Sequence, residues 1–243
     1  MLEVRGLTKR FGGLKAVDGL DLDVAAGSIT ALLGPNGAGK TTSFAMVAGF
    51  IRPDAGTVRF DGADITGWRA DRIAAAGMVR TFQITQPFAG LSVAENIRVG
   101  AFLRTGDPDA AMAAARETGT RLGLGAFLDR PASALTVAGR KRLEVARALA
   151  TAPRLLLLDE VMAGLNPTEV AEIVGMIRAV RDAGVTILLI EHVMDAVIAL
   201  AERVYVMAQG RRIATGTPRE IAGDPAVIEA YLGPGAARRM ADA

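Results

Sequence analysis

Along residues 1–30 apolar and polar positions alternate, with Leu2, Val4, Leu20, Leu22 and Val24 in phase and turns at Gly12-Gly13 and Ala26-Gly27. A period of two predicts strands covered on one face, as in a half-exposed antiparallel sheet. Thr57-Val58-Arg59-Phe60 before Asp61-Gly62 predicts one more strand and turn. Residues 29–33, 155–158 and 186–190 are unbroken apolar runs, the pattern of parallel strands buried on both faces. Asn166-Pro167-Thr168-Glu169 opens a helix as a capping box, with Asn in place of Ser or Thr. Val170, Ile173, Val174, Ile177 and Val180 form its apolar stripe, and Gly184 ends it. Val204-Tyr205-Val206-Met207 and Arg212-Ile213-Ala214 predict a last hairpin around Gln209-Gly210. From about Ile84 to Thr151 helix formers dominate, with Asp107-Pro108 as an N-cap and first-turn pair. The sum is an α/β chain: a parallel core, an N-terminal antiparallel β subdomain and an inserted helical subdomain.

At 243 residues the chain can bury a large core. Its lack of cysteine excludes disulfides, thiolate metal sites and a thiol nucleophile. The net charge of +2 gives no reason to expect a nucleic-acid partner. No secretory signal and no run of about 18 apolar residues is present, so a cytoplasmic protein is expected.

Candidate chemistry starts at Gly34-Pro35-Asn36-Gly37-Ala38-Gly39-Lys40-Thr41, which fits G-x-x-x-x-G-K-[ST] between an apolar strand and a helix. Glycines let backbone N–H groups close round the β- and γ-phosphates, and the helix N-terminus adds positive partial charge. Lys40 supplies a cation and the Thr41 hydroxyl a Mg²⁺ ligand; Thr42 follows in the same turn. A glycine turn that merely caps a strand is the plain alternative. The second element is Leu155-Leu156-Leu157-Leu158-Asp159-Glu160, an apolar strand that delivers carboxylates to the sheet edge where open α/β folds bind ligands. Asp159 suits Mg²⁺ held through its water shell, and Glu160 suits a general base polarising water. Together they specify a P-loop NTPase and leave its class open.

Residues 138–149 (Ala-Gly-Arg-Lys-Arg-Leu-Glu-Val-Ala-Arg-Ala-Leu), Gln83 and Glu191-His192 make the chain resemble the ATP-binding subunits of ABC transporters along essentially its whole length. It looks most like the branched-chain amino acid (Liv-type) importer ATPases. The matching details are Arg10-Phe11-Gly12-Gly13, Val79-Arg80-Thr81-Phe82-Gln83, Ala163-Gly164-Leu165-Asn166-Pro167, and Gly216-Thr217-Pro218 through Ala230-Tyr231-Leu232-Gly233.

The resemblance implies a RecA-type core formed by residues 1–83 and 152–232, a helical subdomain at 84–151 and a flexible tail at 233–243. It implies ATP and Mg²⁺, with Phe11 stacking on adenine, Gln83 sensing the γ-phosphate and touching the metal, and His192 as the switch histidine. Asn166 stands at the D-loop acid position. The signature loop, usually Leu-Ser-Gly-Gly-Gln, is Leu135-Thr136-Val137-Ala138-Gly139 here. Thr136 and the Ala138 N–H are then the groups offered to the nucleotide of an opposite subunit, and Val137 is ill suited to a position that needs φ > 0. Arg140-Lys141-Arg142 reads foremost as a solvated helix start, with phosphate or interface contact as the alternative. Val161 replaces a frequent proline.

Implied partners are a second ATP-binding subunit (identical or a paralogue), integral-membrane permease subunits and an extracytoplasmic solute-binding protein. The chain would lie on the inner face of the cell membrane, with Gln86-Pro87-Phe88 and Leu91 as the candidate docking surface. A soluble ABC-type ATPase with a regulatory or nucleic-acid-linked role is the alternative, but no tandem cassette, coiled-coil insert or basic face accompanies the motifs. A P-loop kinase would need an acceptor pocket, whereas Glu160 and His192 favour water.

Overall fold

A computed structural model describes residues 1–81 and 87–233. The Gln83 and Gln86 expectations, and that of a flexible tail beyond Gly233, therefore lie outside the described residues. Two compact units form, one from residues 1–70 and 186 onward, the other from residues 71–185. The chain starts with β1 (Leu2–Phe11), β2 (Leu14–Val24), β3 (Ile29–Leu33), α1 (Lys40–Val47), β4 (Ala55–Phe60) and β5 (Ala63–Asp64). It continues with α2 (Ala70–Ala75), β6 (Met78–Arg80), α3 (Val93–Ala101), α4 (Pro108–Arg121), α5 (Val137–Leu149), β7 (Leu155–Asp159) and α6 (Pro167–Asp182). It returns to the first unit with β8 (Thr186–Ile190), α7 (Met194–Leu200), β9 (Arg203–Ala208), β10 (Arg211–Gly216), α8 (Pro218–Ala222) and α9 (Pro225–Leu232).

In the first unit the predicted antiparallel sheet forms in the order β2-β1-β4-β5. Leu2, Val4, Leu20, Leu22 and Val24 are all buried, as the alternation requires. A second sheet places β3 between β8 and β9, both parallel to it, with β10 antiparallel at the edge. Every residue of β3 and β8 is buried, which explains their unbroken apolar runs. The β9–β10 hairpin turns at Gln209 (φ 49°) and Gly210 (φ 80°), the left-handed pair that matches strand twist.

In the second unit β6 and β7 pair in parallel, setting Met78 against Leu155 and Arg80 against Leu157. Ser92 caps α3 in a capping box with Glu95, Asp107 caps α4, and Asn166 with Glu169 caps α6 as its sequence predicts. Ile173, Val174, Ile177 and Val180 are the buried stripe of α6. Gly100 on α3 lies directly against α5: a Cβ there would stand 2.1 Å from the Arg147 carbonyl oxygen. From within α3, the fully buried Asn96 side chain takes the Phe88 N–H and donates to the carbonyls of Phe88, Leu91 and Ser92. One amide thereby satisfies several backbone groups of residues 88–92.

Candidate active site

In the first unit the phosphate loop leaves the end of β3. Gly34 is buried with φ +146°, and a Cβ on it would stand 2.1 Å from the Met207 carbonyl oxygen of β9. Only glycine fits where the loop passes this close to the neighbouring strand. Gly39, left-handed at φ 100°, is the N-cap of α1; no side chain caps that helix and no acid occupies its first turn. Its N-terminal N–H groups and dipole are thus available to an anion. Ala38 accepts a hydrogen bond from Gly210 N–H (3.1 Å), and the Gly210 carbonyl accepts from Asp18 N–H (2.8 Å), so the last hairpin buttresses the loop.

Lys40 is buried, and its Nζ donates to the carbonyls of Gly34 (2.6 Å) and Pro35 (3.0 Å). Thr41 is exposed and Thr42 partly so, while Pro35, Asn36 and Gly37 line the loop's outer side. Phe11 ends β1 with its ring 48% exposed and the Lys9 ammonium 5.7 Å from its centroid, an accessible stacking face. His192 follows β8. Because Leu32 is in register with Ile190, the phosphate loop and Glu191-His192 emerge at the same edge of this sheet. Glu191 is buried and His192 exposed, with the His192 N–H on the Glu191 carboxylate (3.3 Å).

In the second unit Asp159 closes β7, fully buried. Its Oδ2 accepts from Arg80 Nη2 at 2.7 Å, and its N–H donates to the Thr81 hydroxyl (3.2 Å). Asp159 Oδ1 is buried with no hydrogen-bond partner among the described residues. A buried carboxylate with one oxygen tied and one unsatisfied fits a metal-bound water as its missing donor. Glu160 bends the chain at φ 50°, a conformation uncommon for a non-glycine residue and frequent at functional sites. Its carbonyl accepts from Lys141 Nζ at 3.1 Å.

That contact corrects the reading of Arg140-Lys141-Arg142 as a solvated helix start. Lys141 is 7% exposed and directed at Glu160, and Arg142 pairs with Glu172. Around the signature segment, Thr136 is the N-cap of α5, its hydroxyl accepting from Gly139 N–H (3.1 Å). Val137 is the first residue of that helix and is absent from the positive-φ positions, so its β-branching meets no conflict there. Ala138 is buried in the first turn.

The structure thus gathers the phosphate loop, Phe11 and His192 in the first unit, and Asp159, Glu160, Thr136 and Ala138 in the second. Arg80 and Tyr231 were not singled out by sequence reasoning for a role at the site, and Lys141 only as part of a basic run with phosphate or interface contact as its second reading. Tyr231 accepts the Gly34 N–H at 2.8 Å.

The ABC transporter family model matches residues 17–163. This chain belongs to the ABC transporter ATP-binding family. A model for a branched-chain amino acid ATP-binding cassette transporter also matches residues 211–234. The chain is 41% identical over 251 residues to the high-affinity branched-chain amino acid transport ATP-binding protein BraF of Pseudomonas aeruginosa, covering 96% of this chain and 98% of that one. It is equally 41% identical over 249 residues to the LivG protein of the same description in Escherichia coli, with the same coverage. The ADP conformation of MJ1267, an ATP-binding cassette of an ABC transporter, superposes with a TM-score of 0.88 at 32% identity, over 96% of this chain and 98% of that one. The fold is the P-loop NTPase α/β core, and the chain is an ATPase of this family. No helix among the described residues is long and apolar enough to cross a membrane.

Proposed function

We propose that this ATPase drives an ABC importer for branched-chain or related amino acids. The reading is carried by similarity to BraF and LivG along nearly the whole chain, C-terminal segment included. In this scheme the loop of residues 34–42 holds the phosphates through its backbone N–H groups beyond Pro35 and the helix N-terminus at Gly39, Lys40 neutralises them, and Phe11 stacks on adenine. Glu160 takes a proton from the attacking water while His192 and Gln83 orient it. Thr41, Gln83 and Asp159 would hold Mg²⁺, which spreads the charge of the transferring phosphoryl group when bound.

A second ATP-binding subunit, identical or paralogous, would present its own Thr136 and Ala138 equivalents to this chain's nucleotide. The 84–151 segment would dock on a permease at the inner membrane face, a solute-binding protein delivering the substrate outside. Phe88, Val99, Phe102 and Leu103, each at least 40% exposed on the second unit, supply apolar surface for that contact.

Two measurements test this. Glu160→Gln should keep ATP affinity and lower turnover about 10²–10⁴-fold, the range for losing a general base; unchanged turnover removes Glu160 from that role. In proteoliposomes holding the whole transporter, labelled leucine should accumulate with ATP and not with ATP plus Glu160→Gln subunits. Equal uptake in both overturns the coupling role.

A further inference from the structure

The Ala230-Tyr231-Leu232-Gly233 end of the chain is among its most family-like stretches, yet the chemistry above gives it no task. Its helix, α9, is well built: Pro225 opens it, Asp224 accepts from the N–H groups of Ala226 (2.8 Å) and Val227 (3.3 Å), and Val227 is buried. Tyr231, at the other end, remains 43% exposed overall, so the ring is a modest anchor for the helix. What it does reach is the phosphate loop, where its hydroxyl accepts the Gly34 N–H at 2.8 Å. Burial of the hydroxyl raises its pKa, which keeps it a neutral phenol that accepts this bond and retains its own proton.

Gly34 is the pivot of the loop. Its N–H is fixed by Tyr231, its Cα is wedged against the Met207 carbonyl, and its own carbonyl accepts Lys40 Nζ at 2.6 Å. A glycine has no side chain to set its φ and ψ, so these outside contacts must do it. We propose that Tyr231 is a positioning residue for ATP binding: the C-terminal helix sets the first amide of the phosphate loop and, through Gly34, the place from which Lys40 meets the phosphates. The proposal rests on residues 34–41 being the nucleotide site. It gives the C-terminal segment a direct part in nucleotide affinity without touching the nucleotide.

Tyr231→Phe in the full chain removes the hydroxyl and little else. ATP affinity by calorimetric titration, steady-state kinetics and amide exchange at Gly34 by NMR are measured together, with Lys40→Ala alongside. The expected result is a two- to tenfold rise in Kd and KM for ATP, the span a hydrogen bond of about 0.5–1.5 kcal/mol converts to. The kcat is unchanged, and exchange at Gly34 accelerates while protection elsewhere in the first unit holds. ATP affinity equal to wild type overturns the proposal, as does weaker affinity with protection lost throughout that unit, which marks a general structural role. If Lys40→Ala also binds ATP normally, the phosphate-loop reading fails and the proposal falls with it; if only Tyr231→Phe does, the proposal alone fails.

Discussion

Replacing Arg80 with methionine would leave the Asp159 carboxylate, 0% exposed, without the guanidinium that lies 2.7 Å from its Oδ2. The Arg80 side chain is itself only 7% exposed, so this is a buried ion pair and not a surface one. At a charge separation of about 4 Å and an effective dielectric near 20, the gross attraction is about 4 kcal/mol. The desolvation of both groups offsets most of it, so the intact pair adds little net stability. Removing one partner is different, because the other stays buried and uncompensated, at about 3–5 kcal/mol. For a chain of this size each kcal/mol moves the melting midpoint by about 2–4 °C, so Arg80→Met should melt about 6–20 °C lower. Asp159→Asn in the same protein should restore much of that loss, because the neutral amide needs no counter-ion. The assay is thermal unfolding by circular dichroism of wild type, both single variants and the double variant, without nucleotide or metal. A coupling energy near zero, with the losses simply adding, would refute the account of a buried pair.

Other consequences are as direct. Gly34→Ala would drive a Cβ to 2.1 Å from the Met207 carbonyl oxygen, so equilibrium binding should show ATP affinity lost, with melting lowered by overpacking worth at least about 1–3 kcal/mol. Retained affinity would contradict the tight passage at β9. Lys141→Met strips the Glu160 carbonyl of its 3.1 Å donor; kcat should fall about tenfold with KM for ATP nearly constant, and the reverse pattern in initial-rate measurements would remove Lys141 from the support of Glu160. Acid should destabilise the protein in a defined window. Asp54 is held below its ordinary value by hydrogen bonds from Lys9 and Arg10 N–H, Asp18 by Lys15 and Arg211, and Glu95 and Glu220 by Ser92 and Thr217. Folded values depressed below unfolded ones give stability that is present above about pH 4 and lost as pH falls through the folded values. A melting temperature flat from pH 6 to pH 3 would show these contacts to be energetically idle.

Much of the architecture was legible because it follows from short-range patterns. Period-two alternation marked β1 and β2, unbroken apolar runs marked β3, β7 and β8, and Asn166 to Glu169 announced the start of α6 within four residues. The strand β6 went unread because its Met78–Arg80 run is three residues long and ends on a charge, too short for a period to show. The proposed chemistry-bearing residues were found for the same local reason, since a glycine-rich loop and an acidic strand end are each contiguous in sequence. Their supports were not. Arg80 meets Asp159 across 79 positions and Tyr231 meets Gly34 across 197, separations that no local pattern encodes. Lys141 misled because a cation between two arginines looks solvated, and only the packing of α5 shows that it is turned inward. The concern over Val137 dissolved for a related reason: Thr136 caps the helix, which makes Val137 an ordinary helical residue with no left-handed turn to serve.

The two carbonyls that hold Lys40 solvate its charge within the protein itself. The ammonium already has good acceptors at 2.6 and 3.0 Å within its own loop, so a phosphate oxygen would share it with these carbonyls or replace one of them, and only the net difference would appear as affinity. A loop that supplies its own ligands to this cation keeps a buried ammonium hydrogen-bonded whether or not a nucleotide is bound, so the charge that the proposed function needs carries no penalty of an unpaired buried cation between turnovers.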